Sequence, residues 1–130
     1  MRKLQQIFKV RRPVIGMLHL DYLLGAEEFR GINHVIERAK KDIDALESGG
    51  INGILIENWK EDTVGEFVST ETAVSIAIVA NELSKHIHVP FGINVLNNDY
   101  KVALPVAKLT GASFVELDVF VDHVVSDFTH

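Results

Sequence analysis

Short apolar runs alternate with longer amphipathic segments along this chain, and that alternation leaves few folds open. Residues 13–20 are mostly apolar, include β-branched Val14 and Ile15, and lie between a proline and a polar loop. They read as a buried strand. Ile32, Val35, Ile36, Ala39, Ile43 and Leu46 then recur at helical spacing, with Arg38, Lys40, Lys41, Asp42, Asp44 and Glu47 over much of the remaining surface. Gly49-Gly50 supplies the stop, because glycine tolerates positive φ. The unit repeats: residues 53–58 read as a strand and residues 71–85 as a helix, opened by Ser69 or Thr70 with Glu71 near the positive helix end. A third strand is expected over residues 89–96. A helix over residues 99–110 follows, capped by Asn98 or Asp99 and stopped at Gly111, and then a fourth strand over residues 114–120. Pro105 removes a hydrogen bond inside the third helix and is expected to kink or shorten it.

Strands that alternate with helices predict an α/β fold with a parallel sheet and right-handed crossovers, covered on both faces. The loops after the first two strands, residues 21–31 and 59–69, are long, whereas the helix-to-strand turns are short. Long loops at one end place the working face at the C-terminal ends of the strands. Four strands and three main helices, followed by residues 121–130, do not close an eight-stranded barrel, which takes about 250 residues. The expectation is an open sheet or half of a barrel. A half barrel would leave two strand edges and its inward face unpartnered, which predicts self-association.

Composition narrows the class. With 130 residues, 47% of them hydrophobic, the chain suits one core-forming domain. Its longest stretch without a charged side chain, residues 86–98, holds 13 residues and is broken by Pro90 and Gly92. A spanning helix needs about 20. There is no cysteine, so disulfides and thiolate chemistry are excluded and a reducing cytoplasm is the expected setting. The first twelve residues carry five positive charges and no negative one, and the remainder carries 8 positive and 18 negative charges. The body, residues 13–130, would therefore repel nucleic-acid phosphates, and no nucleic-acid partner is expected. The basic leader, residues 1–12, lacks a secretory signal's apolar run. Leu4, Ile7 and Phe8 fall at helical spacing within it. That pattern suits either peripheral contact with an anionic membrane or a helical turn closing one end of the domain.

Strand alternation sorts the polar residues by face. Glu116 and Asp118 oppose Val115, Leu117 and Val119; Gly92 and Asn94 oppose Ile93 and Val95; Glu57 and Leu55 oppose Ile54 and Ile56; His19 goes with Ile15 and Met17. Each strand thus delivers a polar group near its C-terminal end: His19, Glu57, Asn94, and Glu116 with Asp118. Buried carboxylates demand hydrogen-bond partners, a metal, or a shifted pKa useful in acid–base work. In this reading Glu57 is the acid–base candidate, His19 exchanges a proton, Asn94 orients a small-molecule ligand, and Glu116 with Asp118 binds a cation or a ligand hydroxyl. The competing reading has these groups capping helices or bonding loop backbone. His86 and His88 form an H-x-H pair with no third ligand placed nearby, so they read as a turn and no metal site is assigned. Residues 49–53 are glycine-rich but precede a strand, unlike a phosphate-cradling loop. Trp59 could line a pocket wall or cover the sheet end.

Three motifs carry a family resemblance: PVIGMLHL (residues 13–20), RAKKDIDALESGGINGILIEN (residues 38–58) and VPFGINVLNNDYKVAL (residues 89–104). Together they resemble the BtpA family, associated by name with photosystem I biogenesis. Its members resemble ribulose-phosphate-type (β/α)8 barrels of about twice this length. The resemblance implies that residues 13–130 are the N-terminal half of a TIM barrel, completed by the missing half or by a second chain. Gly16, His19, Leu20, Glu57, Asn58, Gly92, Asn94, Asn98 and Asp99 match the family pattern. Asn58 and Asp99 thereby join the ligand-binding candidates, although Asp99 also fits an N-cap. The resemblance implies an enzyme-like pocket for a small polar or phosphorylated metabolite, or a non-catalytic role in biogenesis of a membrane complex. It assigns no reaction and no cofactor. Three departures weigh against phosphate: the loop DYLLGAEEF (residues 21–29) keeps Gly25 but has no proline, Asn97 stands where arginine is expected, and Glu116 and Asp118 replace a basic and an amide residue.

Overall fold

The computed structural model describes residues 2–60, 65–121 and 123. A short helix α1 (Arg2–Phe8) leads into β1 (Ile15–Leu20), α2 (Ile32–Ser48), β2 (Gly53–Asn58), α3 (Thr70–Ser84), β3 (Phe91–Asn94), α4 (Tyr100–Thr110) and β4 (Phe114–Val115). Every pairing is parallel and the sheet order is β1-β2-β3-β4. Consecutive parallel strands joined by crossover helices are the arrangement of half a (β/α)8 repeat.

Local chemistry sets the helix limits. The Ser69 side chain accepts a hydrogen bond from the Thr72 N–H at the start of α3, and Asp99 does the same for Val102 at the start of α4. Helix α4 ends on Gly111 at φ 79°, a left-handed conformation that glycine adopts at little cost. Pro105 lies inside α4 without shortening it. Pro105 and Lys101 are both exposed, so water can satisfy the Lys101 carbonyl that the proline leaves unbonded.

One layer of core lies between the sheet and the helices. Leu18 and Leu20 of β1, Ile54 and Ile56 of β2, and Phe91 and Ile93 of β3 pack on Val35, Ile36, Ala39 and Ile43 of α2, Ile76, Val79, Ala80 and Leu83 of α3, and Ala103, Val106 and Ala107 of α4. Each fully buried Leu or Ile here contributes about 1.5–3 kcal/mol. The opposite face holds Leu55, which is buried, and Met17 on the edge strand, which is 44% exposed. At the N-terminal end of that face the Phe8 ring of α1 meets Phe114 edge-to-face at 5.5 Å. Glycine makes room for both rings, since a Cβ at Gly53 would lie 2.5 Å from Phe8 and one at Gly92 would lie 2.3 Å from Phe114. The basic leader therefore uses one of its apolar residues, Phe8, to close the sheet from below.

Three strands are shorter than their apolar runs. β1 starts at Ile15 rather than residue 13, β3 spans Phe91–Asn94 rather than residues 89–96, and β4 stops at Val115 rather than residue 120. Beyond β4 one more sheet-type bond forms, from the Glu116 N–H to the Ile93 carbonyl. The Asn98 side chain then replaces the neighbouring strand: its Nδ2 donates to the Val119 carbonyl at 3.0 Å and its Oδ1 accepts from the Val119 N–H at 3.1 Å. Part of the loop at residues 59–69 and most of residues 121–130 lie outside the described residues. Among the described residues no helix is long and apolar enough to cross a membrane.

Candidate functional site

Register brings the polar strand residues together. His19 pairs with Glu57 between β1 and β2, and Glu57 pairs with Asn94 between β2 and β3. The three side chains form one row on the face opposite the helices, at the C-terminal strand ends. Val115 pairs with Ile93, which brings Glu116 to the same row and Asp118 beyond it. His19 Nε2 lies 3.0 Å from Glu57 Oε2. Asn94 Nδ2 donates toward Glu57 Oε1 at 3.3 Å, Glu116 Oε1 at 3.1 Å and Asp118 Oδ1 at 3.1 Å. Three carboxylates from two strand ends, those of β2 and β4, thus converge on one amide nitrogen.

Burial divides the cluster. Glu57 and Asn94 are buried and form its floor, while Glu116 and Asp118 are exposed because β4 is the edge of the sheet. Burial pushes the Glu57 carboxyl up, and the negative charges of Asp118 and then Glu116 push it further, to about 7. Glu57 therefore exchanges a proton in the neutral range. One of its oxygens faces Asn94 and the other faces His19, whose side chain is 39% exposed. This gives a single-step route for a proton between solvent and the buried carboxyl. The Trp59 ring stacks on His19, with centroids 4.5 Å apart and planes within 7°. Trp59 is itself exposed, so it shields the imidazole on one face and stands at the rim.

Asn58 and Asp99 lie apart from this row. Asn58 points to the helix side of β2 and its Oδ1 accepts from the Leu96 N–H at 2.7 Å. Asp99 caps α4 through Oδ1 and accepts from the Val68 N–H through Oδ2 at 2.8 Å. With the bonds from Asn97 Nδ2 to the Gly65 carbonyl and from the Asn98 N–H to the Glu66 carbonyl, Asp99 stitches the loop after β3 to the loop after β2. His86 and His88 bind separate carboxylates of α2, Asp44 at 2.7 Å and Glu47 at 3.1 Å. They staple the turn before β3 to that helix.

Sequence reasoning missed a second polar centre at the same end of the sheet. Asp21, directly after β1, is buried and takes Lys60 on Oδ1 at 3.2 Å, with Arg38 at 3.1 Å and His34 at 3.2 Å on Oδ2. Burial alone would raise its pKa. The Tyr22 N–H, Lys60 and Arg38 outweigh burial and hold it down at about 2. The signal was present in the sequence: His34 and Arg38 lie four apart and share a face of α2, opposite an aspartate that ends a strand.

These features define a class, an α/β protein of parallel βα repeats that gathers its titratable groups at the strand C-termini. A sequence model of the BtpA family matches residues 10–129, and the chain belongs to the BtpA family. It is 35% identical over 109 residues to an uncharacterized protein of Archaeoglobus fulgidus, covering 84% of this chain and 44% of that protein. It is 33% identical over 124 residues to the photosystem I biogenesis protein BtpA of Synechocystis, covering 94% of this chain and 43% of that protein. It is also 33% identical over 128 residues to the putative sgc region protein SgcQ of Escherichia coli, covering 96% and 47%. The chain spans less than half the length of these relatives. No solved structure matches it.

Proposed function

We propose that this chain supplies half of an enzyme-like site for a small polar metabolite, at the C-terminal strand ends of a (β/α)8 barrel whose other half corresponds to the additional length of its relatives. The observation that carries this reading is the convergence of Glu57, Glu116 and Asp118 on Asn94, with Glu57 poised near neutrality and linked to solvent through His19. Glu57 acts as acid or base, His19 relays its proton, Asn94 fixes the ligand, and Glu116 and Asp118 contact it from the open side. Asn58 and Asp99 serve by holding the loops that form the rim.

The test is thermal stabilisation of the full-length gene product across a panel of small metabolites. A ligand at about one hundred times its Kd stabilises by about 2.7 kcal/mol. Glu57→Gln and Asn94→Ala are expected to lose most of that gain. Retention of the full shift by both variants would remove the site assignment.

The name of the Synechocystis relative and the exposed Lys9 and Arg11–Arg12 favour a second reading, assembly of a membrane complex by electrostatic docking. Since Phe8 is built into the sheet base, charge reversal is the suitable test rather than removal of the leader. Lys9→Glu combined with Arg11→Glu and Arg12→Glu should weaken co-sedimentation with anionic vesicles at low salt. Unchanged binding would exclude docking through this segment.

A further inference from the structure

We propose that the ligand of this site presents a protonated amine to the Asn94–Glu57–Glu116–Asp118 cluster, and that anionic metabolites are not its substrates. This rests on the site reading above and narrows its chemistry. Asn94 Nδ2 carries two hydrogens but faces three carboxylate oxygens, at 3.3, 3.1 and 3.1 Å, so acceptors outnumber donors. Among the described residues, His19 is the one basic side chain paired with any of the three carboxylates, and no lysine or arginine reaches them.

Asn94 itself gives an independent observation. The residue is 1% exposed, yet no donor among the described residues reaches its Oδ1, whose partner nitrogen is fixed toward the carboxylates. A buried carbonyl oxygen without a donor costs about 1–3 kcal/mol, so it marks where an incoming hydrogen-bond donor is favoured. An ammonium group offers three donors, a positive charge and no acceptor. It can approach the cluster from the exposed Glu116 and Asp118. A phosphate would bring only negative charge and more acceptors to a site that already has both in excess.

Three probes with one carbon skeleton separate the possibilities in the full-length gene product: 3-aminopropane-1,2-diol, glycerol and glycerol 3-phosphate. The amine is expected to shift the Asn94 side-chain amide resonances and to bind more tightly than glycerol. Its positive charge favours the ionised Glu57, so binding near pH 7 should release protons, read by calorimetry in buffers of different ionisation enthalpy. An anion would favour the protonated carboxyl and reverse the sign. Glu116→Gln with Asp118→Asn should weaken amine binding about tenfold to a hundredfold. Tighter binding of glycerol, or proton uptake with glycerol 3-phosphate, would overturn the ligand class and leave the site in place. A protein donor on Asn94 Oδ1 in the full-length product would also overturn it. If none of the three probes shifts the Asn94 amide, the inference falls, and the wider metabolite panel separately decides whether the site binds anything.

Discussion

Replacing Glu57 with glutamine is expected to make the protein more stable at alkaline pH by about 3 kcal/mol and to change it little near pH 4. Folding raises the Glu57 carboxyl from 4.5 to about 7. The folded state therefore holds a proton that the unfolded chain has already released, and stability falls as pH rises between those two values. Below the lower value both states are protonated and no penalty exists. Above the upper value the folded protein carries an ionised carboxylate, buried beside Asp118 and Glu116, and the whole penalty applies. Glutamine keeps the shape and a hydrogen-bonding end group without the charge. Urea denaturation at several pH values gives the comparison directly. If wild type and variant show parallel pH profiles between pH 4 and pH 8, Glu57 does not titrate near neutrality and its acid–base role is lost with it.

Replacement of Asp21 by alanine should have the opposite pH signature. At neutral pH the variant is expected to lose about 2 kcal/mol, because the folded carboxylate is held at about 2 against an ordinary 3.8. That stabilisation is present above 3.8 and disappears as pH falls through 2, so the two proteins should converge in acid. Lys60, Arg38 and His34 are each at least a third exposed. Water can take over their charges, which keeps the loss moderate. Equal stability of the two proteins at neutral pH would show that the Asp21 cluster contributes nothing net.

The fold was legible in the sequence wherever a single periodicity dominated. The helical face from Ile32 to Leu46 and the apolar run of β2 both appear where expected, because burial fixes them from one side or from both. Strand ends were less legible. The alternating pattern from residue 114 to 120 predicts a full strand, but β4 lies at the sheet edge and the Asn98 carboxamide takes over from backbone pairing after Val115. That exchange involves residues 21 positions apart and leaves no local trace. Within the site, the alternation rule assigned His19, Glu57, Asn94, Glu116 and Asp118 to one face, and register then brought them within hydrogen-bonding distance. What alternation could not supply was depth. Glu57 and Asn94 are buried, whereas Glu116 and Asp118 are open to solvent, a difference that follows from strand order. Asp21 escaped notice because its three partners come from a helix and a loop, outside any strand pattern.

The stacking of Trp59 on His19 gives the molecule a built-in optical gauge. Trp59 is the sole tryptophan in the sequence, so its emission comes from one place, against an imidazole 3.0 Å from Glu57. The brightness of this one ring thus reports any change in its stack on His19, and with it in the His19–Glu57 contact, without any label.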